Sequence, residues 1–125
     1  MLGNKEAVAM IAVRDMASAA AFYGDVLGLP VLARQGEHVV TYRCGGAKIN
    51  VYMSEFAGTN KATSALWDVG SEIADIAVAL KEKGVRFEHY QMPGLTLEGD
   101  VHVGNGMKVA WFRDPDGNIL SLVGA

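Results

Sequence analysis

The side chains readiest for chemistry in this sequence are three histidines, one cysteine and the serines and carboxylates around them. His38, His89 and His102 form no pair at the spacing that would place two imidazoles on one helix or strand as metal ligands. His38 follows Gly36-Glu37 and reads as an edge residue opening a strand, while His89 shares strand parity with Val85 and Phe87 and is expected in the core at a strand end. Glu98 and His102 fall in a glycine-rich stretch, where they could cap a cavity, though the plainer expectation is a solvated loop. Cys44 precedes Gly45-Gly46 and has no sequence neighbour that would activate its thiolate, so it reads as a turn-side thiol. Neither Ser64 nor Ser121 has a base beside it. Gly104-Asn105-Gly106 suits a hairpin turn better than a phosphate cradle, and Asp114-Pro115-Asp116-Gly117 is turn chemistry with no catalytic role. No short motif carries a reaction by itself. Any chemistry must come from how the fold gathers distant residues.

The elements that would do the gathering are legible. Val8 to Val13 is a short apolar run expected as a buried strand. Asp15 can cap the helix that follows, Gly28 can end it in the left-handed conformation, and Leu29-Pro30 prevents its continuation. Between them Met16, Ala19, Ala20, Tyr23, Val26 and Leu27 fall at helical spacing. The same landmarks return 56 residues later as Val69, the cap candidate Ser71, the stripe Ile73, Ile76, Ala77 and Leu80, and the terminator Gly84. Strands are expected at Val31–Arg34, His38–Arg43 and Lys48–Met53, and again at Val85–Tyr90, Lys108–Arg113 and Asn118–Val123. Gly45-Gly46 and Asp116-Gly117 are matching turns, now 71 residues apart, so the second copy carries fifteen extra residues around Gln91–Asn105.

The fold class expected is therefore α+β, with two tandem βαβββ modules pairing into one curved mixed sheet, helices on its convex face and a cavity on the concave one. A single domain over 1–125 is expected, module 1 at about 5–55 and module 2 at about 62–124, with an exposed link near Ala57–Lys61. Half the residues are apolar and the net charge is −3, which gives nucleic acid no basic footprint. One cysteine excludes an intramolecular disulfide and points to a reducing compartment. The apolar run Ala7–Val13 is too short for a membrane span, and no cleavage site follows it, so the expectation is a cytoplasmic protein without membrane partners.

These same residues resemble a known family. Val13 to Leu29 is similar to the first helix of vicinal oxygen chelate proteins of the glyoxalase and bleomycin-resistance type, and Ala110-Trp-Phe-Arg-Asp-Pro-Asp-Gly-Asn-Ile-Leu-Ser-Leu122 to their C-terminal signature. Lys81–Phe87 resembles their second helix exit, and Phe56–Lys61 a linker of small bacterial members. The resemblance implies the fold; it does not choose among lyases, dioxygenases, epimerases, thiol transferases and drug-binding proteins. Most enzymes of the family hold a divalent metal through His, Gln or Glu on facing strands, leaving positions open for a substrate's adjacent oxygens. Carried onto this sequence, the four ligand positions are Val8, Asn50, Ser64 and Ser121. None is a good ligand, and slipping the register by one residue restores none, so neither metal nor other cofactor is expected.

If those positions face the cavity, strand alternation sends Met10, Ala12, Lys48, Tyr52, Leu66, Asp68, Ile119 and Val123 there too, with Trp111 or Phe112. The opposite face (Ala9, Ile11, Val13, Ile49, Val51, Trp67, Val69, Leu120, Leu122) is uniformly apolar, as a helix-covered face should be. An apolar cavity with a few polar handles suits a neutral or mildly polar organic ligand. Three functions stay open. The first is a metal-free protein sequestering an aromatic or antibiotic-like molecule, which the resemblance implies would be a homodimer. The second is an enzyme, either metal-dependent with rearranged ligands such as His102 or Glu98, or metal-free with Tyr52, Asp68 or Lys48 as acid or base. The third is an interaction module with a filled cavity.

Overall fold

The computed structural model describes residues 1–125, which divide into two compact units, Met1–Gly58 and Thr59–Ala125. Each unit is built on a βαβββ plan, the second with two further strands, so the α+β class and the internal repeat are both present. Neither helix is long and apolar enough to cross a membrane.

In the first unit β1 (Ala9–Val13) leads into helix α1 (Met16–Ala19), and β2 (Val31–Gln35), β3 (Val39–Cys44) and β4 (Ala47–Met53) follow. The sheet order is β1-β4-β3-β2, with β1 parallel to β4 and the remaining pairs antiparallel. Asp15 caps α1 as its residue type predicts, accepting from the Ala17 amide at 3.0 Å and the Ser18 hydroxyl at 2.8 Å. Those bonds, that to the Ser18 hydroxyl foremost, hold its carboxyl below the usual carboxylate range. Past Ala19 the helix widens into a π-helical stretch, Ala20–Val26, which closes where the Leu27 amide donates to the Phe22 carbonyl at 2.8 Å. Gly28, at φ 73°, then turns the chain away.

The core of this unit follows the period-two reading. Ile11, Val13, Ile49 and Val51 are buried on the helix-facing side of the sheet, together with Val40 and Tyr42. Tyr23 closes the cluster with its ring centroid 5.1 Å from Phe22 and 6.1 Å from Tyr42. Burial pushes the Tyr42 hydroxyl pKa up.

In the second unit β5 (Thr63–Asp68) precedes α2 (Ile73–Glu82), and the strands after it are β6 (Phe87–Glu88), β7 (Thr96–Glu98), β8 (Val101–Gly104), β9 (Met107–Arg113) and β10 (Ile119–Gly124). The order is β5-β10-β9-β8-β7, with β6 also paired to β9. Ile73, Ala77 and Leu80 form the buried stripe of α2, and Gly84, at φ 91°, ends the helix as expected. Ser71, however, is not the cap. A tight turn at Gly70–Glu72 precedes the helix, Asp68 Oδ1 takes the Gly70 amide at 3.1 Å, and α2 starts at Ile73 with no side-chain cap.

The extra segment is a β-hairpin of its own. Strands β7 and β8 pair through the Gly99-Asp100 turn, and β8 then lies on the edge of β9 through His102↔Val109 and Val103↔Lys108. Asn105 (φ 53°) and Gly106 (φ 74°) make the connecting turn, both in the left-handed region that a two-residue primed turn requires. With β8 on the first half of β9, only Trp111 and Phe112 remain for β6, so the strand expected at Val85–Tyr90 shrinks to Phe87–Glu88. Phe112 is fully buried, its ring 6.4 Å from Trp67 and 5.7 Å from Phe87.

Candidate functional site

In the first unit the expected residues gather on the face of the sheet opposite the core. Met10 of β1, Asn50 of β4 and Thr41 of β3 stand in one cross-strand row. The Thr41 hydroxyl donates to Asn50 Oδ1 at 2.6 Å, and Asn50 Nδ2 reaches Met10 Sδ at 3.5 Å. Lys48 and Tyr52 share this face by strand parity. Val8 precedes β1 and borders, with Lys48, a small hollow of about 210 Å³.

In the second unit Leu66, Ser121, Trp111 and Glu88 form the corresponding row across β5, β10, β9 and β6. Ser121 is buried, whereas Leu66 is 57% exposed. Trp111, not Phe112, is the aromatic on this face. Asp68 lies level with Val123, but its carboxylate is engaged by the Gly70 amide. Ser64 is the extra residue of a β-bulge: Ile119 pairs with Thr63 and Leu120 with Ala65, leaving Ser64 without a register partner on β10.

The donors at the family's ligand positions do not fit a divalent cation. Val8 offers only hydrocarbon, Ser64 and Ser121 neutral hydroxyls, and Asn50 an amide whose oxygen already accepts from Thr41. No group of three or more His, Cys, Asp and Glu side chains comes together in a way that could hold a metal ion.

The inserted hairpin builds the larger cavity, about 540 Å³, and its lining was not foreseen from strand parity. Its walls are His89, Tyr90, Gln91, Met92, Leu95, Thr96, Leu97 and His102. The expectation that His102 is a solvated loop residue is overturned: it sits on β8 with 1% of its surface exposed. Its Nε2 accepts from the Tyr90 amide at 2.9 Å, so its proton is on Nδ1, which donates to the Val109 carbonyl at 3.2 Å. The ring packs 4.8 Å from Trp111 and 6.3 Å from Tyr90, and Tyr90 meets Trp111 edge-on at 5.2 Å.

His89 also departs from expectation. It is not a core residue but an exposed one, its Nε2 held 2.7 Å from Asp100 Oδ1 in the hairpin turn. Lys81 of α2 reaches Asp100 Oδ2 at 3.4 Å. Burial raises the Asp100 pKa, but the hydrogen bonds from His89 and Lys81 and the charge of Lys81 outweigh it and hold the carboxyl below its ordinary value. Nearby, Arg113 pairs with Glu88 and donates to the Gly117 carbonyl at 3.1 Å. That contact with Glu88, the largest influence on the guanidinium, raises the Arg113 pKa. The Asp114–Gly117 segment is the turn its sequence suggests, with Asp114 Oδ1 accepting from the Asp116 and Asn118 amides, each at 2.9 Å.

Solved structures share this architecture. A glyoxalase family protein from Enterococcus faecalis superposes with a TM-score of 0.73 at 20% identity, covering 98% of this chain and 99% of its own. A lactoylglutathione lyase from Agrobacterium tumefaciens gives 0.68 at 19%, covering 98% and 96%. A fosfomycin resistance protein from Listeria monocytogenes gives 0.69 at 13%, covering 95% and 91%. Identities this low carry the fold alone. No curated protein sequence matches significantly. The family model matching residues 7–122 is decisive, and the chain belongs to the Glyoxalase/Bleomycin resistance protein/Dioxygenase superfamily.

Proposed function

We propose that this chain is a small-molecule-binding member of its superfamily that works without a divalent metal, sequestering a neutral or mildly polar organic ligand of aromatic or antibiotic-like character. The observation that carries the reading is the donor set at Val8, Asn50, Ser64 and Ser121, where aliphatic, amide and hydroxyl groups replace the imidazoles and carboxylates that grip a cation. The open sheet faces supply the handles: Met10, Lys48, Asn50 and Tyr52 in one unit, Leu66 and Trp111 in the other, where Ser121 shares the row but is buried. An apolar surface with few hydrogen-bonding groups is what organic ligands of this kind need. The structural relative described as a fosfomycin resistance protein makes an antibiotic-like ligand a reasonable first choice. A cytoplasmic homodimer belongs to the same proposal.

The enzyme readings have less behind them. A rearranged metal site using His102 would need a ring nitrogen that backbone groups already occupy. Asp68, the acid–base candidate, spends one carboxylate oxygen on the Gly70 amide.

The test is a thermal-shift panel of apolar, aromatic and antibiotic compounds, with elemental analysis of the purified protein. A ligand at a hundredfold excess over Kd adds about 2.7 kcal/mol of apparent stability. Stabilisation by compounds from the panel in metal-free protein is the expected result. A stoichiometric divalent metal that survives dialysis, or a melting point no compound moves, would overturn the proposal.

A further inference from the structure

We infer that the cavity beneath the inserted hairpin binds an aromatic ligand bearing a weakly acidic hydroxyl, and that Nδ1 of His89, oriented by Asp100, accepts the hydrogen bond from that hydroxyl. This rests on the small-molecule reading above but seats the ligand in the hairpin cavity instead of on the sheet faces, and gives it a chemical class.

Asp100 occupies the turn of the hairpin with its side chain only 11% exposed, yet it faces two nitrogen donors, His89 Nε2 at 2.7 Å and Lys81 Nζ at 3.4 Å. With both partners in place it stays ionised, and an ionised carboxylate can only accept. The proton in the short contact therefore belongs to His89 Nε2. In the neutral ring Nδ1 is left as the lone-pair nitrogen, and it makes no hydrogen bond within the chain. A carboxylate fixing one imidazole tautomer so that the other nitrogen can accept is the orienting logic of many proton-handling sites.

The second histidine of the cavity cannot substitute. Both nitrogens of His102 are committed to backbone groups, and the ring is buried. His89 is about half exposed at its side chain, so a ligand in the cavity can reach it.

The remaining lining sets the ligand class. Tyr90 presents a ring surface, backed by the buried ring of His102, and Met92, Leu95 and Leu97 present hydrocarbon, a combination suited to a flat ring. No Lys, Arg, Asp or Glu lines the cavity, so nothing there would neutralise a phosphate or carboxylate. A ligand that enters uncharged and still has a good donor to give to Nδ1 is a phenol or naphthol. The volume of about 540 Å³ exceeds what one such ring system needs and lies within the usual range for small-molecule pockets.

The experiment compares 2-naphthol with 2-methoxynaphthalene, which keeps the ring and loses the donor. Binding is followed by backbone amide NMR shifts of the full chain. The wild type should prefer the naphthol by about tenfold, one net hydrogen bond's worth of affinity, with shifts concentrated at residues 89–102. His89→Leu, at an exposed position, should bind both probes alike at the level of the ether. Leu97→Arg, on the cavity wall, should weaken both. Equal binding of the two probes by the wild type, or an undiminished preference in His89→Leu, would overturn the role of His89. Shifts confined to residues outside 89–102, or failure of both probes while other compounds of the thermal-shift panel stabilise the protein, would overturn this site and leave the small-molecule reading standing. Failure of every compound would overturn both.

Discussion

The backbone amide of Tyr90 donates to Nε2 of His102 across 2.9 Å, and this one contact fastens the entry of the insertion to the strand that returns from it. An amide spent on a side chain cannot join a ladder, so Tyr90 lies outside β6, which β8 already confines to Phe87–Glu88. His102→Ala would leave that amide without its partner and open a void beside Trp111. A loss of about 2–4 kcal/mol is expected by chemical denaturation. His38→Ala, at an exposed position, should change stability by less than about 0.5 kcal/mol.

Phe112 and Trp111 are adjacent in sequence and should respond differently. Phe112 is fully buried between Trp67 and Phe87, so Phe112→Ala should cost about 3–5 kcal/mol in denaturant titrations. Trp111 is only half-buried on the opposite face, so Trp111→Ala should cost less and act mainly on ligand binding.

Asp100 predicts a pH dependence. Its folded pKa is lowered, so the stability it contributes is present above the unfolded value of 3.8 and is lost as pH falls through the folded pKa. Melting curves of wild type and Asp100→Asn should differ most at neutral pH and converge as the solution is acidified below about pH 4. A gap that stays constant down to about pH 2 would show that the contacts of Asp100 with His89 and Lys81 contribute nothing in solution.

Gly104 should be far less replaceable than Gly45. A Cβ at position 104 would run into the carbonyl of Gly94 and crowd Leu95, and backbone there has no room to give. At Gly45, by contrast, nothing lies near, and only the left-handed φ of 58° opposes a side chain. Gly45→Ala should cost about 1 kcal/mol. Gly104→Ala should cost more and raise amide hydrogen exchange across residues 92–104.

Restoring a glutamate at the family's last-strand position is a direct test of the donor argument. Ser121 is 3% exposed, so Ser121→Glu would bury a carboxylate with no cation arranged to meet it. A loss of about 2 kcal/mol or more is expected, with no gain in stability when zinc or manganese is added to the melt.

Much of this was legible in sequence because local chemistry decided it. The Asp15 cap, the Gly28 and Gly84 exits and the Asn105-Gly106 turn each rest on one residue's backbone preference, and nothing distant competes. Alternation sorted Ile11, Val13, Ile49 and Val51 from Met10, Asn50 and Tyr52 because one face of a strand is buried. The misreadings share a different cause. Ser71 lost the cap because Asp68 and a tight turn reorganised the helix start. Ser64 fell in a bulge, which parity cannot see. His102 and His89 were misjudged because their partners, a main-chain amide and a turn carboxylate, are eleven to twelve residues away. Composition around Gln91–Asn105 signalled a loop, yet the segment's own hairpin supplied both the burial and the cavity.

That hairpin joins the sheet of the duplicated plan along the first half of β9, and Asp100 and His102 tie it to Lys81, His89 and Tyr90 as well. A chain with residues 91–105 replaced by a short turn should keep both βαβββ ladders and forfeit the aromatic hollow, and a differently furnished hairpin spliced into the same slot would redirect selectivity without redrawing the scaffold.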